Sequence, residues 1–193
     1  MGYYLAGFQV YGIDHRQQRY PFEFRMCDAL RFAKHKAHLF DAIHASPPCQ
    51  RFSAASANDL RNIGRRPDLL KPTRELLEEI GLPYVIENVP GAPMRNPGML
   101  CGTMFNLTCK RGTLRRHRLF ETNWNLEVPE HPEHEGPTIG VYGHGRNPGG
   151  TGGASAADCR TVMGIHWAGR DAVSQAIPPA YTRFIGEQLI KLV

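Results

Sequence analysis

The chain has 193 residues, enough for one domain with a small lobe and for a core that needs neither disulfides nor structural metal. Its 23 Lys and Arg against 18 Asp and Glu give a formal net charge of +5, which suits a polyanionic partner without requiring one. The five cysteines are scattered, which argues against a disulfide framework, and no apolar run reaches the ~18 residues of a membrane span, so a cytoplasmic protein is expected.

In chain order, Phe8 to Ile13 reads as a buried strand, Asp28 to Leu39 as a helix, Ala42 to Ala45 as a second strand, Thr73 to Ile80 as a helix and Tyr84 to Val89 as a third strand. Strands alternating with helices predict an α/β fold on a parallel sheet. Ligands of such sheets bind beyond the carboxyl ends of the strands, where Asp14, Asp28, Cys49 and Glu87 all fall.

The second strand leads into Ala45-Ser46-Pro47-Pro48-Cys49-Gln50-Arg51-Phe52-Ser53. Two prolines fix φ near −65° and remove two backbone donors, so Cys49 is presented rather than packed. A thiol is a nucleophile only as thiolate, and Arg51 and the arginines from Arg115 to Arg118 are the candidate positive charges. Glu87 leaves the third strand as a carboxyl whose proton burial would favour; the competing reading is a strand-end acid paired with an arginine. A thiolate beside such an acid suits conjugate addition to a heteroaromatic ring, the sulfur attacking carbon while the acid relieves charge on a ring nitrogen.

Two basic groups flank these residues: Arg61, Arg65, Arg66, Lys71 and Arg74, then Lys110, Arg111, Arg115, Arg116 and Arg118. They read either as solvated faces or as nucleic-acid contacts. After Asn88 several prolines and glycines interrupt regular structure, and Leu114 to Thr122 resumes as a strand. From Asn123 to Ser155 the chain is rich in Pro, Gly and His, with only Thr138 to Tyr142 strand-like. Residues 143–153 lack the Gly-Lys-Ser/Thr ending of a phosphate loop and read as a flexible loop or a mobile substrate clamp. Helices over Asp158 to Gly164, Arg170 to Ala176 and Pro179 to Val193 close the chain, Leu189, Ile190 and Leu192 returning the last to the core. The expected division is a catalytic core over 1–122, a small recognition lobe over 123–155 and C-terminal helices over 156–193.

Cys27, Cys101, Cys109 and Cys159 read as inert buried residues. His117, His131, His134, His144 and His166 accompany three of them, yet there is no Cys-x-x-Cys, and His131-Pro-Glu-His134 is not a helical i, i+4 pair, so no metal is expected. A Cys-His hydrolase lacks a histidine framed as base, and the double proline blocks the usual helix after its nucleophile.

Pro47-Pro48-Cys49-Gln50 and Glu87-Asn88-Val89, in this order, resemble the catalytic motifs of the cytosine-C5 DNA methyltransferases. Arg116-His117-Arg118 resembles that family's Arg-x-Arg motif, with Leu114 where a glutamine usually opens it. Gly12-Ile13-Asp14 and Cys27-Asp28-Ala29-Leu30 are similar to its S-adenosylmethionine-binding strand ends, and Ser174-Gln175-Ala176-Ile177-Pro178-Pro179 to the C-terminal cofactor motif of compact phage versions. The resemblance implies a Rossmann-like methyltransferase sheet with helices on both faces and a small target-recognition lobe. It implies Cys49, Glu87, Arg116 and Arg118 as catalytic residues: Cys49 attacking C6 of a flipped cytosine, Glu87 engaging N3 and the exocyclic amine, and Arg118 holding O2. Asp14 would meet the cofactor ribose and Asp28 the adenine amine, with Ala29, Pro48, Gln175 and Ala176 beside them. Ser46, Pro47, Gln50, Ser53 and Asn88 would line the substrate. The implied partner is double-stranded DNA bound by a monomer, in a phage or restriction-modification setting.

The family opens with a strand and a turn, Asp-Leu-Phe-x-Gly-x-Gly-Gly, whereas Met1-Gly2-Tyr3-Tyr4-Leu5-Ala6-Gly7-Phe8 resembles the helix just after them. Three expectations follow: a downstream start, a second polypeptide that supplies the strand, or a protein that does not use S-adenosylmethionine in the normal way. The last would be a non-catalytic DNA-binding relative or a cytosine-activating enzyme with another outcome, such as deamination.

Overall fold

The computed structural model describes residues 1–52, 67–142 and 154–193. Tertiary contacts divide the chain into two units. One comprises Tyr11–Met99, Arg118–Glu127 and Leu192–Val193, and the other Met1–Val10, Leu100–His117 and Val128–Lys191. We refer to them as the Cys49 unit and the Cys101 unit.

In the Cys49 unit, β1 (Tyr11–Asp14) pairs in parallel with β2 (Glu23–Met26), Asp14 opposite Met26. β2 has no alternating apolar pattern, because most of it is exposed, and periodicity therefore misses it. Asp28 caps α2 (Ala29–Lys36), its carboxylate accepting from the Arg31 N–H at 2.7 Å. Next come β3 (Ile43–Ala45), α3 (Leu70–Ile80) and β4 (Tyr84–Asn88). α3 starts three residues before the expected Thr73, and stops where Gly81 takes φ +75° and returns its N–H to the Leu77 carbonyl.

β3 and β4 belong to a sheet of order β3-β4-β8-β5, with β5 at Gly98–Leu100 and β8 at Arg118–Thr122. β3 and β4 are parallel, Ala45 opposite Ile86, whereas β8 runs antiparallel to β4, placing Phe120 opposite Glu87. The α/β class is as expected; the sheet is mixed rather than parallel. Every residue of β4 is buried, and Leu70, Leu77, Tyr84, Ile86 and Ala92 form the core with Ile43, Ala45 and Phe52 packed against it.

The Cys101 unit contains α1 (Gly2–Leu5), a 3-10 turn (Gly102–Phe105), and a small sheet of order β6-β7-β9. Its strands are β6 (Thr108–Cys109), β7 (Gly112–Leu114) and β9 (Thr138–Ile139). The expected single strand from Leu114 to Thr122 is thus two strands in different sheets. Arg115 donates its N–H to the Ile139 carbonyl at 2.8 Å and Arg116 turns inward, so the ladder ends after Leu114. α4 (Ala156–Met163) starts at a Ser155–Asp158 capping box, followed by α5 (Arg170–Gln175) and α6 (Pro179–Leu189). α4 and α5 supply Cys159, Val162, Met163 and Val173 to a core shared with Leu114, Ile139 and Val141.

α6 packs closely on α1, glycines at both sides of the contact making room for it. A Cβ on Gly186 would lie 2.7 Å from that of Ala6, and one on Gly2 2.2 Å from the Pro179 carbonyl oxygen. Leu189 is buried as expected, but Ile190 and Leu192 lie beyond the end of α6 and are 38% and 50% exposed. Among the described residues, no helix is long and apolar enough to cross a membrane.

Candidate active site

Cys49 is half-buried, four residues beyond β3, on a loop pinned at both ends. On one side Pro47 is buried and its carbonyl accepts from the Asn88 side-chain amide at 3.1 Å. On the other, the Phe52 N–H closes a turn onto the Cys49 carbonyl at 2.9 Å, and the Phe52 ring packs against the core. Gly91, at φ +99°, lets the loop after β4 approach the Phe52 carbonyl; a Cβ there would sit 3.2 Å from that oxygen in a conformation that disfavours side chains. The Ser-Pro-Pro-Cys segment is therefore tied to the Glu-Asn-Val segment through the Asn88 side chain, and the chain just after each segment meets at Phe52 and Gly91. Ser46 and Gln50 are exposed and Pro48 half-buried; Ser53 lies outside the described residues, as do Arg61, Arg65, Arg66 and residues 143–153.

Asn88, 1% exposed, is the hinge of this arrangement, because its side-chain oxygen also accepts from the Val89 N–H at 2.9 Å. One residue earlier, Glu87 faces Arg118 on β8, with Nε 3.0 Å from Oε1 and both side chains about nine-tenths buried. Burial alone was expected to govern the carboxyl; the fold sets a guanidinium against it, the pairing weighed as the competing reading. Behind them a second buried ion pair braces the sheet. Arg74 donates through Nε and an NH2 group to the two oxygens of Glu121 at 2.6 and 2.8 Å, and to the Pro93 carbonyl at 2.9 Å. Glu121 also accepts from the Arg95 N–H at 2.7 Å. The hydrogen bond to Glu121, opposed by desolvation, raises the pKa of Arg74.

Among the described residues of the two basic groups, Arg74, Arg116 and Arg118 face inward, while Lys71, Lys110, Arg111 and Arg115 are exposed. Arg74 is buried against Glu121 and Lys71 lies 3.8 Å from Glu75. Arg118 is held by Glu87, and Arg111 lies 3.3 Å from Asp158. Arg116 is fully buried, its guanidinium donating to the carbonyls of Val141, Ser174 and Ala176, while its own carbonyl accepts from the Tyr181 hydroxyl at 2.8 Å. The Ser174–Ala176 segment is thus clamped by Arg116, with the Gln175 side chain exposed. Arg116 organises backbone within the Cys101 unit, a role that its place in an Arg-x-Arg motif did not reveal.

Also in the Cys49 unit, Asp14 and Asp28 occupy adjacent strand ends, joined by the Cys27 N–H donating to the Asp14 carbonyl at 2.9 Å. The Asp14 carboxylate accepts from the Arg16 N–H and the Gln18 amide, and His15 lies 3.2 Å away. Ala29 is the first helical residue after the Asp28 cap. Two carboxylates at neighbouring carboxyl ends, beside a helix N-terminus, are acceptors for the hydroxyl or amine donors of a ligand.

One constellation is set aside on spacing alone, which the fold overrides. Ligand atoms of Cys101, His117, His131 and His134 all lie within 4.8 Å of one another in the Cys101 unit. Their spacing across 34 residues matches no short motif, and only the accumulation of Cys and His between 101 and 134 hints at it. Burial pushes the Cys101 thiol up, but hydrogen bonds from His131 and from the backbone of Thr103 and Arg116 outweigh it and leave the pKa lowered. No family model matches the chain, and no curated protein matches it.

Proposed function

We propose that this chain is a DNA cytosine-C5 methyltransferase whose nucleophile is Cys49. The observation that carries the reading is the tie between its two motif segments, in which Asn88 holds the Pro47 carbonyl while the adjacent Glu87 faces Arg118. Cys49 opens a turn and is only half-buried, and a buried carboxylate–guanidinium pair offers an acceptor for an exocyclic amine and a donor for a ring carbonyl. That is the polar complement of cytosine.

Addition of the Cys49 thiolate to C6 moves electron density onto C5 and into the N3–O2 side of the ring, the side that Glu87 and Arg118 would hold. S-adenosylmethionine supplies an electrophilic methyl group on a sulfonium when bound. Asp14 and Asp28 would orient its adenosyl part, with Ala29 and Pro48 alongside. Once C5 has taken the methyl group, its proton would pass to a solvent water and the C6–S bond would break to return the Cys49 thiolate, which restores aromaticity and frees the enzyme. Flipping is required because C6 is closed to a side chain inside a stacked duplex.

Strand order supports the same reading. In a doubly wound sheet of order 3-2-1-4-5, the observed pairs β2-β1 and β3-β4 correspond to 3-2 and 4-5. A strand seated between β1 and β3, from this polypeptide or another, would join the two sheets and bring a glycine turn to Asp14. A second reading is cytosine activation with an outcome other than methylation, which the same pairing of the Cys49 and Glu87 segments would serve.

Trapping separates these readings. DNA containing 5-fluorocytosine, incubated with the protein and S-adenosylmethionine, should give a covalent complex stable to denaturant, and Cys49→Ala should give none. An adduct that survives Cys49→Ala would sink the assignment of the nucleophile. Uracil in treated DNA, with no 5-methylcytosine, would select the second reading.

A further inference from the structure

We propose that Cys101, His117, His131 and His134 form a closed, tetrahedral zinc site that holds the irregular segment around residues 128–136 in the Cys101 unit. It involves none of the cytosine chemistry and stands whether or not that reading does.

Geometry is the first support. The Nε2 atoms of His117 and His131 lie 3.2 Å apart, those of His117 and His134 3.1 Å, and the Cys101 sulfur lies 3.8 Å from His134 Nε2. Four ligands around zinc at about 2.05 Å for nitrogen and about 2.3 Å for sulfur require N···N edges of about 3.3 Å and S···N edges of about 3.6 Å. These three separations are close to a tetrahedron's edges, and all four ligand atoms lie within 4.8 Å of one another. The three rings are arranged around one point, with centroids 4.9–5.1 Å apart and planes inclined by 52–66°.

Hydrogen bonding between the histidines does not account for this packing. One Nε2 proton on His117 satisfies one neighbour, while both His131 and His134 present Nε2 to the same atom. His134 Nδ1 is buried without a hydrogen-bond partner, so Nε2 is the ring atom that faces the cluster. A cation at the centre converts three converging lone pairs from a liability into ligands.

The chain around the ligands is also suited to a metal. Cys101 is fully buried at the start of a turn in which the Met104 N–H returns to its carbonyl at 3.1 Å, so its position on the cluster is fixed by the backbone. His131 and His134 lie on a stretch with no regular structure from 125 to 135. A segment of that kind has few backbone bonds to hold it, and a metal bridging it to Cys101 and His117 replaces the missing ladder. Four protein ligands leave no open position, which makes the site structural.

The protein prepared without chelators should contain about one zinc ion per chain by plasma mass spectrometry. Replacement by cobalt should give the intense visible bands of tetrahedral Co(II) together with a sulfur-to-metal charge-transfer band. Cys101→Ser should remove the charge-transfer band, and His131→Ala should weaken cobalt binding at least about tenfold. His131→Cys, which keeps a ligand at that position, should retain the metal and strengthen the charge-transfer band. A wild-type chain that takes up neither zinc nor cobalt, or a six-coordinate cobalt spectrum without the sulfur band, would overturn the site. That measurement uses the unaltered protein, so it decides even if every variant fails to fold. A charge-transfer band unchanged by Cys101→Ser would equally reject these ligands.

Discussion

Cys49 and Cys101 are the same residue in two opposite settings. Cys49 stands half-buried on a turn, its loop held by the protein's own hydrogen bonds: Asn88 to Pro47 and Phe52 to Cys49. Cys101 is fully buried with three imidazoles converging on its sulfur and little regular structure behind two of them. What a cysteine can do is decided by what the fold brings to it. A presented thiol with a self-supporting frame is suited to attack, and an enclosed thiol among imidazoles to ligation. The first region should be sensitive to loss of its internal bonds and the second to loss of a metal.

The strongest test of the self-supporting frame is the buried pair beneath Glu87. Glu121→Gln leaves the Arg74 guanidinium without its charge partner in a place where its side chain is 8% exposed. The expected loss is about 3–5 kcal/mol in urea unfolding. Replacing both residues, as Arg74→Met with Glu121→Leu, should recover much of that loss, since removing a whole buried pair is far less costly than orphaning one member. If Glu121→Gln costs under about 1 kcal/mol, the pair does not brace the sheet.

The same contrast explains what was legible in the sequence. Cys49 and Glu87 were visible because short segments carry their context: two prolines before one, and an apolar strand before the other. β3, β4 and α6 could be read because each buries a continuous or periodic apolar face. β2 could not, being exposed and unpatterned. Arg74 and Arg116 looked like surface charge because sequence counts charges without their partners, and Glu121 is 47 residues from Arg74. The histidine cluster could be named but was set aside for a related reason: a ligand set gathered by tertiary folding has no spacing to recognise, unlike the short loops of Cys-x-x-Cys sites. Resemblance placed Arg116 and Arg118 together, whereas their environments differ, one clamping carbonyls and the other facing a carboxylate.

A smaller effect is expected at the tie between the two motifs. Asn88→Ala removes the donor to Pro47 and the acceptor for the Val89 N–H, leaving a buried carbonyl unpaired at a cost of about 1–3 kcal/mol. Its rate of 5-fluorocytosine trapping should fall further than its stability does, because the Cys49 loop loses register with Glu87. Asn88→Asp keeps the acceptor and loses the donor, so it should share the trapping defect. Unchanged trapping in both variants would mean that Pro47 is held by other means.

The mildest perturbation is acid, acting through His44. This residue lies in the centre of β3 opposite Val85, with Nε2 3.1 Å from the hydroxyl of Ser46, the residue that opens the Cys49 loop. Burial pushes its pKa down from 6.5 to about 4. The unfolded chain therefore binds a proton that the folded chain refuses between those values. The resulting stabilisation is full above pH 6.5 and is lost as pH falls towards 4, with a slope of at most about 1.4 kcal/mol per pH unit from one group. Burial and neighbouring cations lower His134 as well, so the wild-type slope has more than one source, and the difference between wild type and His44→Asn isolates this one. Urea unfolding at pH 7.5, 6 and 5 should show the two proteins diverging less as pH falls, because the variant has no proton to refuse at that position. Parallel curves would move the acid sensitivity off β3. The Cys49 loop would then share its frame with no titrating group on that strand.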